Sequence, residues 1–313
     1  MKPSDQISGV GIVVNDRPIA VYGPNLRENT RNFVESFDVS FWTHQLKLAS
    51  SVPVEEATHD HLGFLRLILS QAQEHLFALI FAVLQAPYNP DIWLYRYKPC
   101  DLPQMVSRVQ RRKHVLNLFR LTDISWLNIS KVLWGGLSER RYELTAKILG
   151  RLAEYFISEY SRDEYNGIKH GLRLSFGGTS LSFAPVGSPD KPPSPESFIP
   201  IGSSKFGSQF YDFKPFNGSK NHFRVSRKFV NWHIEVIAYH LRHTVLLIEN
   251  MGIPMRIFSD VEGDRTLRFF RDDDEYELDP SVDGRFLELK RTVDFEIPDS
   301  KRINLDEVRN SYT

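Results

Sequence analysis

The sequence predicts an α+β protein dominated by helix, and three observations carry that prediction. Apolar residues recur at helical spacing through most of the first 171 residues, the period switches to alternation after Gly171, and short β-rich runs between polar turns return after Pro254. Each observation supports one part: a helical bundle, an inserted β-hairpin and a small C-terminal antiparallel β appendage, with an N-terminal β-hairpin ahead of them all.

Taken in order, "ISGVGIVVNDRPIAVYG" is two β-rich runs around "NDR", closed by "GPN". From Glu55 to Ala86, acidic residues open the first turn, apolar residues fall at 62, 65, 68, 69, 72, 76, 79, 80 and 83, and Pro87 stands past the end. That pattern predicts one long, mostly buried helix. Its most apolar run, "LFALIFAVL" at 76–84, has about half the length a bilayer span requires, so no membrane partner is expected. A short segment at "DIWLYRY" ends at Pro99, and "DLPQMVSRVQRRKHVLNLF" follows with Asp101 as its cap before Pro103. "DISWLNISKVLW" and "SERRYELTAKILGRLAEYFISEYSRDEYNGIKHG" supply two more helices, the second capped by Ser138 after a Gly135-Gly136 stop.

Beyond Gly171, "LRLSFGGTSLSFAPV" alternates around Gly177-Gly178, the turn of a hairpin, and six prolines within 184–205 mark a loop. Ser226 then caps a helix, "RKFVNWHIEVIAYHLRHTVLLIEN", that is apolar nearly all round and stops at Gly252 and Pro254. "MRIFSD", "TLRFF" and "RFLELK" form the small sheet, followed by a polar tail. The domain boundaries read from this are 1–24 for the N-terminal hairpin, 38–175 with 226–252 for the bundle, 176–225 for the inserted hairpin and Pro-rich loop, and 253–313 for the appendage and tail.

Lys plus Arg and Asp plus Glu both total 39, so attraction to a polyanion has to come from a local patch rather than the overall field. Cys100 is the only cysteine. That excludes an intrachain disulfide or a multi-cysteine zinc site and suits a reducing compartment. The opening "MKPSDQISGV" has no apolar core of a secretory signal, so the expected location is cytoplasmic. No motif calls for a metal or cofactor, and none is expected.

The densest polar cluster is "EYNGIKHGLRLSFGG" at 164–178. On a helix, Arg162 and Asn166 share a face, as do Asn166 and His170, while Lys169 and Arg173 form a neighbouring stripe. His170 exchanges a proton near neutral pH, and flanking cations both hold phosphate and disfavour a second positive charge. The set suits phosphodiester chemistry. The same residues also suit a plain helix end, with Lys169 and His170 complementing the dipole and Gly171 stopping the helix.

Other constellations have structural readings. His233, His240 and His243 lie on one side of a helix, as hydrogen-bonded core histidines or as a second wall to the His170 site. Glu56 and His59 have the spacing of a carboxylate-bridged di-iron helix but no second Glu-x-x-His to complete it, leaving Asp60 and His61 incidental. Arg108, Arg111, Arg112 and Lys113 form a solvated face or a phosphate-tracking patch. "RDDDEYELD" at 271–279 lacks the Gly and terminal Glu of a calcium loop and reads as a charged turn.

The stretch "YNGIKHG" at the end of a late bundle helix resembles the motif region of HEPN-type helical proteins. In active members an Arg precedes a His by four to six intervening residues, often with a polar residue directly after the Arg. His170 matches the His and Asn166 the polar residue. Tyr165 stands in the Arg position, and Arg162 is displaced upstream, with seven residues between it and His170. The resemblance implies metal-independent RNA cleavage or RNA binding, with His170, Arg162 and Asn166 as catalytic residues and Lys169, Arg173 and Tyr165 contacting substrate. It further implies a homodimer that brings two motifs together, and a place in antiviral or toxin-type cellular defence. The alternative is a non-catalytic helical interaction or scaffold protein in which the motif is structural.

Overall fold

The computed structural model describes residues 10–14, 17–21, 26–98, 100–113, 124–170, 173–184, 193–215, 222–268 and 288–296. Across these residues the protein is α+β and mainly helical, with nine α-helices and eight strands among the described residues. The helices are α1 (Leu26–Glu35), α2 (Ser40–Ser50), α3 (His59–Gln85), α4 (Pro90–Leu94), α5 (Asp101–Gln110), α6 (Trp126–Leu133), α7 (Glu139–Ile157), α8 (Glu159–Lys169) and α9 (Ile234–Ser259). The strands are β1 (Val10–Val14), β2 (Arg17–Val21), β3 (Leu174–Phe176), β4 (Ser180–Phe183), β5 (Ile199–Ser203), β6 (Gly207–Pro215), β7 (His222–Asn231) and β8 (Glu288–Glu296). The chain divides into two compact units: Met1–Val52 with Ile68–Ile157 and Ala238–Leu278, and Pro53–Leu67 with Ser158–Ile237 and Asp279–Thr313.

The first unit is helical, and its β1–β2 pair is the antiparallel hairpin expected around "NDR". Its core is built on α3, whose Leu69, Ala72, Leu76, Phe77, Leu79, Ile80 and Phe81 are fully buried, together with Leu149, Leu152, Leu241 and Leu247. Each large apolar side chain so enclosed contributes about 1.5–3 kcal/mol. Phe77 anchors the cluster, its ring 5.0 Å from Phe156 and 5.7 Å from Trp126. By length and composition α3 could cross a membrane, yet 67% of its most apolar window is buried inside the protein. Two further helices, α1 and α2, precede the long helix.

His75, on α3, stacks on Phe37 with centroids 6.5 Å apart and lies 5.7 Å from Trp42. Burial pushes its pKa down to about 4, so the ring is neutral at pH 7. The unfolded imidazole titrates near 6.5; the unfolded chain therefore binds the extra proton between these values, and His75's contribution is complete above pH ~6.5 and lost as pH falls toward 4. Acidification across this window is expected to remove on the order of 2–3 kcal/mol through this residue. Denaturant titrations at pH 7 and pH 4.5 check it: a His75→Leu variant should lose less stability between the two than the wild type does.

α9 departs from expectation at its C-terminal end. Gly252 and Pro254 do not stop it; the helix runs to Ser259 with Pro254 inside. Proline has no N–H to give the carbonyl four residues back, which here belongs to Asn250. The indole of Trp134 donates to that carbonyl instead, at 3.2 Å, and Trp134 is 2% exposed.

The second unit is built on an antiparallel sheet in the order β3-β6-β7-β8, beside a two-stranded β4–β5 sheet. Phe210 pairs with Lys228, Ser208 with Val230 and Asp212 with Ser226, so these residues share one face of the β6–β7 ladder. α8 packs on β3 and β6. Gly63 on α3 lets the Phe176 ring close in: a Cβ there would stand 2.8 Å from Phe176 Cζ.

Several expectations are corrected in this unit. The hairpin around Gly177-Gly178 does not form, because β3 pairs with β6 and β4 with β5. Gly178 answers a different need: a Cβ on it would lie 1.8 Å from the Ser204 carbonyl oxygen, so only glycine admits that backbone crossing. Residues from Ser226 to Asn231 are the end of β7, and α9 begins only at Ile234. The helix expected over 138–171 breaks at Ser158, whose hydroxyl accepts the Ser161 amide and starts α8. In place of a separate appendage, "MRIFSD" lies largely in α9, residues 266–268 have no regular structure, and β8 joins the sheet beside β7. Residues 114–120, Gly171, the acidic stretch 271–279 and the tail after 296 lie outside the described residues.

Candidate functional site

Two sides of α8 have opposite characters. Ser161 and Glu164 are buried against the sheet, whereas Arg162, Asn166, Lys169 and the capping His170 are exposed. The buried side is held by charge. Glu164, 1% exposed, accepts from Arg66 Nε at 2.8 Å through one carboxylate oxygen and from Trp232 Nε1 at 2.7 Å through the other. Arg66 Nη2 and the Ser208 hydroxyl also donate to it. Four donors on two oxygens saturate the carboxylate. Arg66 itself is 2% exposed, so both charges of the pair are out of water.

A second polar cluster secures the N-terminal half of α8. Lys228 on β7 is 1% exposed, and its ammonium lies 2.9 Å from Glu159, 2.5 Å from Asp163 and 3.3 Å from Asp212. Burial works to lower the lysine pKa, but the hydrogen bonds to Asp163 and Glu159 and the charges of Asp163 and Asp212 outweigh it and raise the group above the ordinary lysine range. The three acids converge closely enough to hold a metal ion. In this protein a tethered ammonium stands among them.

On the outer side, the spacing argument for α8 is met in part. Arg162, Asn166 and His170 share an exposed helical face. Lys169 and Arg173 do not form a helical stripe, because α8 ends at Lys169 and the Arg173 amide folds back to the Gly167 carbonyl at 2.8 Å. Lys169 Nζ stands 5.4 Å from the centroid of the half-buried Tyr165 ring. Arg162 Nε is 3.8 Å from Asp163. The arrangement presents one imidazole and three basic side chains to solvent from a helix whose opposite side is fixed.

His233 lies in the second unit just before α9, where its carbonyl accepts the Ile237 amide. His240 and His243 belong to the first unit. The His240 ring is 4.6 Å from Tyr155, and the His243 ring is 4.1 Å from Tyr239. His243 Nδ1 is 2.7 Å from the Tyr239 carbonyl; a carbonyl only accepts, so Nδ1 carries the proton. His59 opens α3 with its ring edge on Phe206, and Glu56 sits in the preceding 3-10 turn. Arg108, Arg111, Arg112 and Lys113 are all exposed, and α5 ends at Gln110.

Sequence reasoning missed Glu164, Arg66, Lys228, Glu159, Asp163 and Asp212. Partners separated by 98 and 65 positions leave no spacing signal, although a lysine alternating with serine and valine toward one side of β7 was the available hint. No family model, curated protein or solved structure matches the chain.

Proposed function

We propose that the chain is an HEPN-like RNA-contacting protein in which the outer face of α8 works on the phosphodiester backbone without a metal. One observation supports this reading: the helix is fixed on its inner side by Glu164 and the Lys228 cluster while Arg162, Asn166, Lys169 and His170 are offered together to solvent. A rigid helix carrying an exposed imidazole among cations provides proton transfer and charge neutralisation in one place. In the reaction the 2′-hydroxyl attacks the adjacent phosphorus, the P–O5′ bond breaks, and a 2′,3′-cyclic phosphate and a 5′-hydroxyl result. His170 moves the proton, Arg162 or Arg173 stabilises the phosphorane charge, Lys169 and Tyr165 position the strand, and Asn166 orients His170. The proposal extends to a homodimer that pairs two such faces, acting in the cytoplasm in toxin-type or antiviral defence.

Wild-type protein in EDTA is expected to cleave RNA, and His170→Ala to lower the rate at least about 100-fold while leaving the melting temperature within a degree or so, because the side chain is exposed. Equal cleavage by the variant, or no RNA cleavage or binding by the wild type, overturns the assignment. A second reading, a non-catalytic interaction protein, is favoured by the approach of Arg162 to Asp163 at 3.8 Å. It predicts that His170→Ala changes neither the melting temperature nor any RNA readout.

A further inference from the structure

The first unit carries a groove of about 610 Å³ between α2, the C-terminal half of α9 and the segment after α9, a volume in the range of small-molecule sites. Phe37, Val39 and Ile253 give it an apolar wall. Its polar groups divide by sign. The acids are engaged with neighbours: Asp38 accepts from the Ser40 amide at 2.7 Å and hydroxyl at 2.5 Å, Asp264 accepts from the Thr266 amide at 2.8 Å, and Glu249 accepts from Thr43 at 3.0 Å and from Arg268 at 2.9 Å. The Ser40 and Thr266 hydrogen bonds hold the Asp38 and Asp264 carboxyls below the usual range, so both stay ionised and occupied by their own turns.

The basic side chains line the same groove. His44 and Lys47, three apart on one face of α2, are exposed and make no hydrogen bond or ion pair among the described residues. Arg256 uses one guanidinium nitrogen on the Asp264 carbonyl at 3.2 Å, and Arg268 one on Glu249. A guanidinium has five N–H donors, so each keeps several for a ligand.

Arg268 is held at both its main chain and its head group. Its side chain is 69% exposed, and an exposed ion pair contributes little to stability. Yet the side chain of Asn250, 7% exposed, grips the Arg268 backbone at both ends: its amide donates to the Arg268 carbonyl at 2.7 Å and its oxygen accepts the Arg268 amide at 3.0 Å. Glu249 then fixes the guanidinium. A solvent-facing arginine ordered through both main chain and head group is the device by which a planar cation is preorganised for a doubly anionic oxygen pair.

The geometry points to this groove as a binding site for a small organic phosphate, with Arg268, Arg256 and Lys47 on the phosphate and the Phe37–Ile253 wall against its body. The site lies in the first unit and stands apart from the RNA reading of α8. Isothermal titration calorimetry of the full chain at low salt, with adenosine 5′-monophosphate, inorganic phosphate and adenosine as probes, tests it. Saturable, sub-millimolar binding of the monophosphate is expected, tighter than that of inorganic phosphate and absent for adenosine. Arg268→Gln and Lys47→Gln should each weaken it about tenfold or more. Lys47 has no partner among the described residues to lose, so its variant folds normally and serves as the control for Arg268. No saturation with either phosphate, binding undiminished in both groove variants, or adenosine binding as tightly as its monophosphate overturns the inference.

Discussion

Replacing Glu164 with alanine is expected to lower the unfolding free energy by about 3–5 kcal/mol, the cost of stranding one charge of a buried pair. Arg66 would keep its guanidinium at 2% exposure with its principal acid gone, and the Trp232 and Ser208 donors would lose their acceptor. Against a typical total of about 5–15 kcal/mol, that is enough to leave a large fraction of the second unit unfolded at 37 °C. The pair itself need not be a net stabiliser relative to apolar side chains. A double variant, Arg66→Met with Glu164→Leu, should therefore recover the part of the loss that comes from the stranded charge, while the Trp232 and Ser208 donors stay without their acceptor. Urea titrations of the two single variants and the double variant measure the coupling directly. A Glu164→Ala protein within 1 kcal/mol of wild type would show that Arg66 finds water or another acid, and the network described around Glu164 would not be what fixes α8.

The Lys228→Met variant should lose about 2–3 kcal/mol at pH 7, somewhat less than a fully buried pair because the acids keep some solvent. Asp163, 23% exposed and nearest the ammonium, carries the largest share, with Glu159 at 46% and Asp212 at 18% adding to it. Without the ammonium, the clustered acids repel one another while ionised. The variant's deficit should accordingly shrink as pH falls from 7 toward 4. The wild type has the opposite sensitivity. Its lysine pKa is raised by folding, so the contribution of Lys228 is complete below the unfolded value near 10.4 and is lost only as pH climbs beyond it. Chemical denaturation at pH 4.5, 7 and 11 separates these trends, and a deficit independent of pH would remove the acids from the explanation.

Both effects come from residues that the amino-acid pattern did not reveal, and the reason is physical. α3 was legible because a helix buried on most sides repeats its apolar residues every 3.6 positions for many turns. β7 was not, because its polarity runs against the usual rule: Ser226 and Lys228 are buried while Arg227 is exposed and Phe229 only half-buried. A strand with a polar inner face gives no alternation signal, so its end merged with the apolar run of α9. Pairing across 98 residues, as between Arg66 and Glu164, leaves no local trace at all. The exposed face of α8 was readable by contrast, since i and i+4 neighbours follow from helix geometry alone. Gly178 shows the remaining kind of error: a glycine was rightly marked as special, but the constraint is a neighbouring backbone rather than a tight turn.

Pro254 and Trp134 form a matched pair whose meaning extends to any relative of this chain. An ordinary residue at 254 would restore the missing amide, and position 134 would then be free to give up its indole; a proline kept without the tryptophan would leave a carbonyl unanswered in the interior. Two sites 120 positions apart are thus chemically coupled, and replacing Trp134 alone is expected to cost more than replacing it together with Pro254.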